Sequence, residues 1–486
     1  MPRVNLAAGL TSLRASVAEL ATRLGRRRLL AIALVLVLIA SPWPPLTIVA
    51  LVAYIVTALA LPGLTVALLP LSAPFAYWPK HFYVATFPVV ELLLLVALAT
   101  TLLWVVMRWQ RQARSGLGSA AWLDFVDGAK QALLQPFGLQ ATALVLIATF
   151  SLITVADPAH RHESLREYRT TVVEPLIYFF LAWYWLRPRE PRLIACASFI
   201  AGAAIVAALG IGQVLTGYHV VLADGVRRAT SVYMHPNNLA LYLVRAAAFA
   251  LALLVLSPTP RRERALYVAL PILLIGLALT FSRGAFLGLA VAIAVLGIAA
   301  GRRLARVTLL VAAAGGAALL ALAATRLNSG SLGLREYIWR STLAMIRDHP
   351  AFGVGLDQFL TQYTPRYVNP AAWGERFTSH PHDFLLDFWV RLGIMGLAWI
   401  LWLLVSLAVR VGRSWRLGET GERRLLVAAT LACVAALVHG TIDNFYFLID
   451  LAFSWWLLLA LLQIATVPPA GAGAEASRIS EPVEGW

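Results

Sequence analysis

Long apolar runs separated by short polar connections form the dominant pattern of this chain. Run after run reaches the roughly 20 residues that a helix needs to cross a bilayer core about 30 Å thick. The runs are unbroken Leu, Ala, Val and Ile, without the alternating polarity of outer-membrane strands. The pattern therefore predicts an all-α polytopic membrane protein with about 12 transmembrane helices and one large helical outer loop.

The number of crossings depends on residues 29–79, where Ser41 to Pro45 and Pro62-Gly63 interrupt the apolar sequence. This stretch crosses once or three times, so about 14 spans is the alternative to 12. Arg-rich connections recur along the chain, and the positive-inside rule makes them cytosolic. They lie at 108–114, 187–192, 261–264, 302–306 and 410–424. The outward connections are then 156–170, 215–230, 280–284, 326–383 and 440–450.

This alternation divides the chain into five parts. Residues 1–28 form a cytosolic, amphipathic and basic helix, and residues 29–325 form a transmembrane bundle. Residues 326–383 form the large outer, periplasmic loop with helices of its own. Residues 384–466 supply the last three transmembrane helices. Residues 467–486 are rich in Pro, Gly, Ala and Glu, which predicts a disordered cytosolic tail.

Composition excludes several classes of protein. Hydrophobic residues make up 60% and charged residues 13% of the 486 residues, which is not the composition of a soluble domain. A net charge of +16 indicates nucleic-acid binding in a soluble protein, but these basic residues flank apolar runs and set orientation. The expected partner is the lipid bilayer and no nucleic acid. Cys196 and Cys433 lie inside apolar runs, so neither a disulfide framework nor a Cys-based metal site is expected.

Arg283 is the one charge in the apolar stretch from Ala265 to Gly301, within the sequence Thr280-Phe281-Ser282-Arg283-Gly284. The stretch is too long for one helix, so the chain must turn there, near the outer surface. A charge at membrane depth costs about 2.5–3.5 kcal/mol by insertion scales and is a functional candidate by default. The alternative is an arginine that only snorkels to the interface. We expect Gly284 to free the turn, with the guanidinium pointing into an outward cavity.

The outward segment from Arg227 to Asn238 opens the preceding span. Its arginines, Arg227 and Arg228, either are solvated in a loop or bind an anion, and the segment alone favours neither role. Asn237 is better placed to cap the helix than to bind a ligand. Arg245 lies deeper in the span, and the sequence is equally compatible with an interaction partner inside the bundle and with a ligand.

The outer loop carries its own helical pattern, because Trp339, Leu343 and Ile346 recur at helical spacing before His349-Pro350 stops the helix. The loop ends in Ser379-His380-Pro381-His382-Asp383, where the next span begins. Two histidines there are potential metal ligands, but no Cys or acidic pair completes a set, so no metal is expected. One imidazole acting near its ordinary pKa is the better chemical use, with capping by His380 or Asp383 as the alternative.

His382-Asp383, followed by nine residues and Gly393-Ile394-Met395-Gly396, resembles the signature of the bacterial O-antigen ligase and O-antigen polymerase superfamily. In that family a His, then usually Asn, Ser or Gln, precedes nine residues and Gly-x-x-Gly, so Asp383 departs at the second place. The similarity extends to three further segments and covers roughly residues 140–460. They are Arg228 to Asn237, Ser282-Arg283-Gly284, and Arg335 to Gly355.

The resemblance implies a GT-C-like, metal-independent, inverting glycosyltransferase without a cofactor, in the bacterial inner membrane with its active site on the periplasmic side. The donor is a glycan on undecaprenyl diphosphate, and the acceptor is a hydroxyl of a lipid or glycan. By the same resemblance, His382 activates that hydroxyl, while Arg228 and Arg283 hold the diphosphate. Further donor-binding candidates are Arg227 and Arg335, and supporting candidates are His380, Asp383 and Asn237.

Two other functions stay open. A polymerase of the same family joins repeat units, whereas a ligase moves a finished polymer to a terminal acceptor. The single dominant loop before the last three spans is more ligase-like, and residues 326–383 contain no Arg-x10-Gly pattern of the kind associated with polymerase loops. A flippase or transporter of lipid-linked sugars also needs arginines in a bundle, but it does not require a histidine at the end of a structured outer loop.

Overall fold

The computed structural model describes residues 25–82, 85–114, 133–223, 225–259, 263–301, 331–417 and 422–466, together with residues 123, 126–128, 130 and 131. The predicted helix at 1–28, apart from its last residues, and the predicted tail at 467–486 lie outside the described residues. Within the described residues the chain is helical with two short hairpins, which confirms the all-α polytopic class.

Three separate helices occupy residues 26–77, where the sequence allowed one crossing or three. Pro44 and Pro62 lie in the first turn of the second and third helices, where proline costs no hydrogen bond and presets the helical φ. The helix count favours three crossings. The elements up to residue 153 are α1 (Arg26–Ala40), α2 (Pro44–Leu59), α3 (Pro62–Ser72, continued by a 3₁₀ turn Ala73–Tyr77), β1 (Lys80–Phe82), β2 (Ala85–Phe87), α4 (Val89–Arg114) and α5 (Pro136–Ile153).

The middle of the chain contains helices joined by short connections and one more hairpin. Val221 pairs with Arg228 and Ala223 with Val226 in this antiparallel hairpin. The elements are α6 (Arg161–Glu167), a π-helical turn (Tyr168–Val173), α7 (Glu174–Trp185), α8 (Arg189–Thr216), β3 (Val221–Ala223), β4 (Val226–Arg228), α9 (Pro236–Val255), α10 (Arg264–Ala278) and α11 (Arg283–Ala300).

The last described part begins with the outer-loop helix that the sequence predicted. It ends at Asp348, before His349-Pro350, as expected. The elements are α12 (Ser331–Asp348), α13 (Phe359–Gln362), α14 (Phe384–Leu417), α15 (Arg423–Gly440) and α16 (Ile449–Thr466). By length and composition, seven described helices can cross a membrane: α4, α8, α9, α11, α14, α15 and α16. Shorter apolar helices are α2, α3, α5 and α10.

Helices α9 and α16 form the centre of the bundle, because most residues in each are buried. Such a helix is apolar all round, as a central membrane helix must be. Arg245 of α9 is fully buried and donates to the carbonyls of Leu451 and Phe445 and to Ser454 Oγ. The sequence left two roles open for Arg245, and the structure shows the first, because its hydrogen-bond partners lie within the bundle.

Helix α11 approaches α15 closely through Gly284 and Gly288. A Cβ at Gly288 would lie 2.6 Å from the Ala435 carbonyl oxygen, and a Cβ at Gly284 would collide with the His439 ring. Gly284 itself has no left-handed backbone, whereas Phe281 has a φ of 50°. The expectation that Gly284 frees the turn is therefore wrong: it is required by close packing, and Phe281 makes the turn.

Helix α14 is broken at Gly393, which has φ 65° and ψ −162°, a conformation open essentially only to glycine. The outer loop docks on this break through backbone hydrogen bonds. Val354 N donates to Val390 O at 2.7 Å, and Ile394 N donates to Pro350 O at 3.1 Å. A Cβ at Gly353 would lie 2.5 Å from Val390 O. The glycines of the sequence signature thus fix the loop to the start of α14, just after His382.

The connections divide between the two ends of the bundle. Segments predicted to face outward meet at one end, where Ala229 N donates to Leu279 O and Trp339 Nε1 donates to Pro381 O. We call this the site end. Arg-rich connections meet at the other end, where Arg192 pairs with Glu422. We call this the basic end, and α15 runs from it to the site end.

Candidate functional site

Asp443 is the centre of the polar cluster at the site end. It lies between α15 and α16 and is only 3% exposed. Its Oδ1 lies 3.4 Å from His382 Nδ1 and 3.5 Å from His380 Nε2. Its Oδ2 accepts from Asn237 Nδ2 at 2.6 Å and lies 3.9 Å from Arg335 Nη2. Four residues predicted from sequence therefore meet at a fifth that the sequence did not single out.

His382 is held in a defined orientation at the edge of this cluster. It has a φ of 56°, which is uncommon for a residue with a Cβ and indicates a constrained loop. Because a carboxylate only accepts, a hydrogen bond to Asp443 requires the ring hydrogen on Nδ1, and in a neutral ring Nε2 then keeps its lone pair. Thr378 Oγ1 lies 3.2 Å from that Nε2 and donates to the His380 carbonyl at 3.1 Å.

The cluster holds its groups in definite charge states. Burial alone would raise the pKa of Asp443, but hydrogen bonds from His380 and His382 hold it well below its ordinary value. Burial lowers the pKa of His380, and the adjacent His382 acts in the same direction. Near neutral pH the site therefore contains an ionised carboxylate beside a neutral His380.

Arg228 joins this cluster to the turn before α11. Its Nη2 donates to Asn237 Oδ1 at 2.8 Å, and its Nε donates to the Thr280 carbonyl at 2.7 Å. Asn237 does not cap α9, contrary to the expectation; His235 does so by accepting from the Asn237 backbone N–H. A continuous hydrogen-bonded chain thus runs from His382 through Asp443 and Asn237 to Arg228.

Arg283 begins α11 beside this cluster. The Oγ of its neighbour Ser282 lies 3.2 Å from Nε2 of His439. His439 precedes Asp443 by four residues. Arg283 is exposed, and among the residues that the structure describes it has no hydrogen-bond or ion-pair partner. Its guanidinium is available to a ligand.

The remaining predicted site residues have other surroundings. Arg227 alternates with Arg228 on β4 and lies over Gly217 at the end of α8, so it is not brought to Asp443. Asp383 caps α14 by accepting from the Leu386 N–H at 2.9 Å, and burial raises its pKa. The structure therefore shows the capping alternative for Asp383.

Arg391 forms a second polar cluster that supports the histidine loop. Its guanidinium donates twice to Glu167, at 2.7 and 2.8 Å, and to Asp387 at 2.7 Å. Its Nη2 also donates to the Ser379 carbonyl at 3.0 Å, three residues before His382. This buried network fixes the backbone from which the two histidines extend.

Sequence reasoning missed Asp443 and Arg391. The sequence contained a signal for Asp443, because three polar residues lie within six positions at a short connection predicted to face outward. They are His439, Asp443 and Asn444. Arg391 also stood out as a charge near the start of an apolar helix, which is a functional or structural candidate by default.

A family model described as O-antigen ligase matches residues 266–401, from α10 into α14. This range contains Arg283, Arg335 and His382, whereas Arg228 and Asp443 lie outside it. No curated protein matches the chain significantly.

Proposed function

Because residues 266–401 belong to the O-antigen ligase family, we propose that this protein is an inverting glycosyltransferase. It moves a glycan from undecaprenyl diphosphate to an acceptor hydroxyl at the outer face of the inner membrane. The observation that supports this most is the hydrogen-bonded chain from His382 through Asp443 to Arg228. These hydrogen bonds support the proposal because they link an imidazole to a guanidinium at the end of the bundle opposite the basic connections.

His382 acts as the general base. Thr378 Oγ1 lies 3.2 Å from Nε2, so the acceptor hydroxyl has to displace this contact to reach the base. The acceptor oxygen attacks the anomeric carbon, and the bond from that carbon to the diphosphate oxygen breaks with inversion. The hydroxyl proton moves to Nε2 of His382, and Asp443 stabilises the imidazolium that forms.

The arginines bind the departing diphosphate. Arg283 offers a guanidinium without a protein partner in the described chain, and Arg228 is held beside the turn that carries it. Guanidinium groups bind phosphate oxygens in pairs of charge-assisted hydrogen bonds and stabilise the charge that develops as the bond breaks. Arg335 lies close enough to Asp443 to take part, and Arg227 is a more distant contact.

Among the activities of the family, we propose ligase. The described part of the predicted loop, residues 331–383, docks on the broken start of α14, ahead of the last three helices. A single fixed loop suits one transfer to a terminal acceptor. Repeated elongation would give a polymerase, and the experiment below distinguishes the two products.

The test uses the purified full chain with a synthetic prenyl-diphosphate glycan and candidate acceptors, followed by product sizing. A single adduct identifies a ligase, and a ladder identifies a polymerase. His382→Ala should abolish transfer while donor binding stays near normal, because positioned acid–base groups contribute about 10²–10⁴-fold. The control is His162→Ala, since His162 is largely exposed.

Two outcomes contradict the proposal. Transfer that survives in His382→Ala rejects the catalytic assignment. Movement of the lipid-linked glycan across a vesicle membrane without any new glycosidic bond, in wild type and His382→Ala alike, identifies a flippase instead.

A further inference from the structure

We propose that His380, His382 and Asp443 form a binding site for a divalent transition-metal cation such as Zn²⁺, and that the bound ion inhibits transfer. The inhibition rests on the proposed function, because it requires His382 to be the base. The binding site does not, because it rests only on the three side chains.

The geometry fits a tetrahedral ion. His380, His382 and Asp443 each offer one ligand atom, and these atoms lie within 4.8 Å of one another. Zinc bonds of about 2.0–2.1 Å set neighbouring ligand atoms in a tetrahedron about 3.3 Å apart. Asp443 Oδ1 lies 3.4 Å from His382 Nδ1 and 3.5 Å from His380 Nε2, so these two edges already have nearly the tetrahedral length.

The donor set has the chemistry that a transition metal prefers. Zinc binds neutral imidazole and ionised carboxylate, and the ion displaces protons from these ligands when it binds. Histidine and aspartate together suit a borderline cation, whereas Mg²⁺ prefers oxygen ligands alone.

Outer contacts orient the ligands. Asn237 donates to Asp443 Oδ2 and turns Oδ1 towards the imidazoles. Thr378 Oγ1 contacts the far nitrogen of His382. Such partners orient metal ligands and typically contribute 10–100-fold to affinity. The histidine side chains are 14% and 19% exposed, so an ion and its fourth ligand, a water, can reach the site.

The nearby cation limits affinity. Arg335 lies 3.9 Å from the other oxygen of Asp443 and repels a second positive charge. With three ligands and this repulsion, the site should be weaker than a closed four-ligand structural site. The expected behaviour is reversible occupancy, which suits inhibition and not folding.

Metal binding removes the base directly. When the ion occupies His382 Nδ1, the hydrogen of the neutral ring lies on Nε2. That nitrogen then only donates and cannot accept the acceptor hydroxyl's proton. The same ion takes Asp443 away from its contact with the imidazole, so both parts of the base are lost.

The binding test is a calorimetric titration of ZnCl₂ into the metal-free full chain. We expect one ion per chain, with affinity lowered at least tenfold in His380→Ala and in Asp443→Ala. The matched control His81→Ala, in the β1–β2 hairpin away from this cluster, should bind like wild type. Wild type that binds no zinc, or equal binding by all variants, overturns the site.

A second measurement does not depend on any variant folding. Co²⁺ in place of Zn²⁺ should give the intense visible absorption of a tetrahedral nitrogen and oxygen site, and added Zn²⁺ should abolish it. A weak octahedral spectrum would contradict the proposed geometry.

A transfer assay separates this inference from the proposed function. Zinc should inhibit transfer by wild type, and a chelator should restore the rate. Transfer without zinc binding overturns the site alone, and zinc binding without any transfer overturns the function alone. Transfer that requires added zinc overturns the inhibitory role.

Discussion

The two ends of the helix bundle use arginine differently. At the basic end, Arg192 lies 2.5 Å from Glu422 and Arg424 lies 2.6 Å from Glu263, so connections hold one another through ion pairs. At the site end, Arg228 bonds a neutral amide and a backbone carbonyl, and Arg283 has no partner within the described ranges. The difference separates the ion-paired arginines of the basic end from Arg283, whose charge we propose to bind an anionic ligand.

The site end also contains one arginine of the neutralised kind. Arg391 is buried and bonded to Glu167, Asp387 and the Ser379 carbonyl. It lies close along the chain to His382 but offers no donor to a ligand. Position at the site end alone therefore does not make an arginine available to a ligand.

The largest expected effect is on stability, from Arg391→Ala. This change leaves Glu167 and Asp387 buried without their cation, and breaking a buried pair in this way costs about 3–5 kcal/mol. Denaturant unfolding of the detergent-purified protein measures it. The control Arg166→Ala removes an exposed pair with Asp357 and should cost at most about 1 kcal/mol. Equal losses in the two variants would contradict the assigned role of the Arg391 network.

The next effect is on activity, from Arg283→Gln. Loss of one preorganised donor to a developing charge lowers the rate by about 10²–10³-fold. Stability should barely change, because no described protein group loses a partner. Arg424→Gln is the matched control: it should lose stability, since Glu263 is left unpaired, and keep its rate per folded molecule. If Arg283→Gln lost stability and Arg424→Gln lost rate instead, the proposed difference between the two ends would be wrong.

Gly393→Ala tests how the loop bearing the histidines is held at the site end. The backbone conformation at residue 393 costs a residue with a Cβ about 1–3 kcal/mol, and the new Cβ would also collide with Ala351. Both the free energy of unfolding and the transfer rate should fall. Gly412→Ala, in the same helix with open space around it, should be neutral or slightly stabilising. A stable, active Gly393→Ala would show that the break is not required.

The smallest expected effect is a pH dependence at Asp443. Its pKa is depressed in the folded protein, so its contribution to stability is present above the unfolded value of about 3.9 and is lost as pH falls below it. Wild type should therefore lose more stability than Asp443→Asn on going from about pH 5 to pH 3. Thermal unfolding at the two pH values measures this. Asp127→Asn, at an exposed position, should behave like wild type.

Local patterns in the sequence were sufficient for the fold class and for the start and stop of several helices. Pro44 and Pro62 start helices, and His349-Pro350 follows the end of one, because proline acts on its own backbone and its immediate neighbours. The same patterns wrongly assigned Gly284 to a turn. Its actual requirement comes from His439 on another helix, which no local pattern contains.

The sequence by itself determined which residue types stand in the segments predicted to face outward, including His382, Arg228 and Arg283, because charge and hydropathy act locally. Only the tertiary structure decided that Asp443, 61 residues from His382, joins the histidine to Asn237 and through it to Arg228. It also decided that Asp383 caps a helix and that Arg227 faces away. Those outcomes depend on how separate helices pack, and packing brings together residues whose separation along the chain carries no signal of contact.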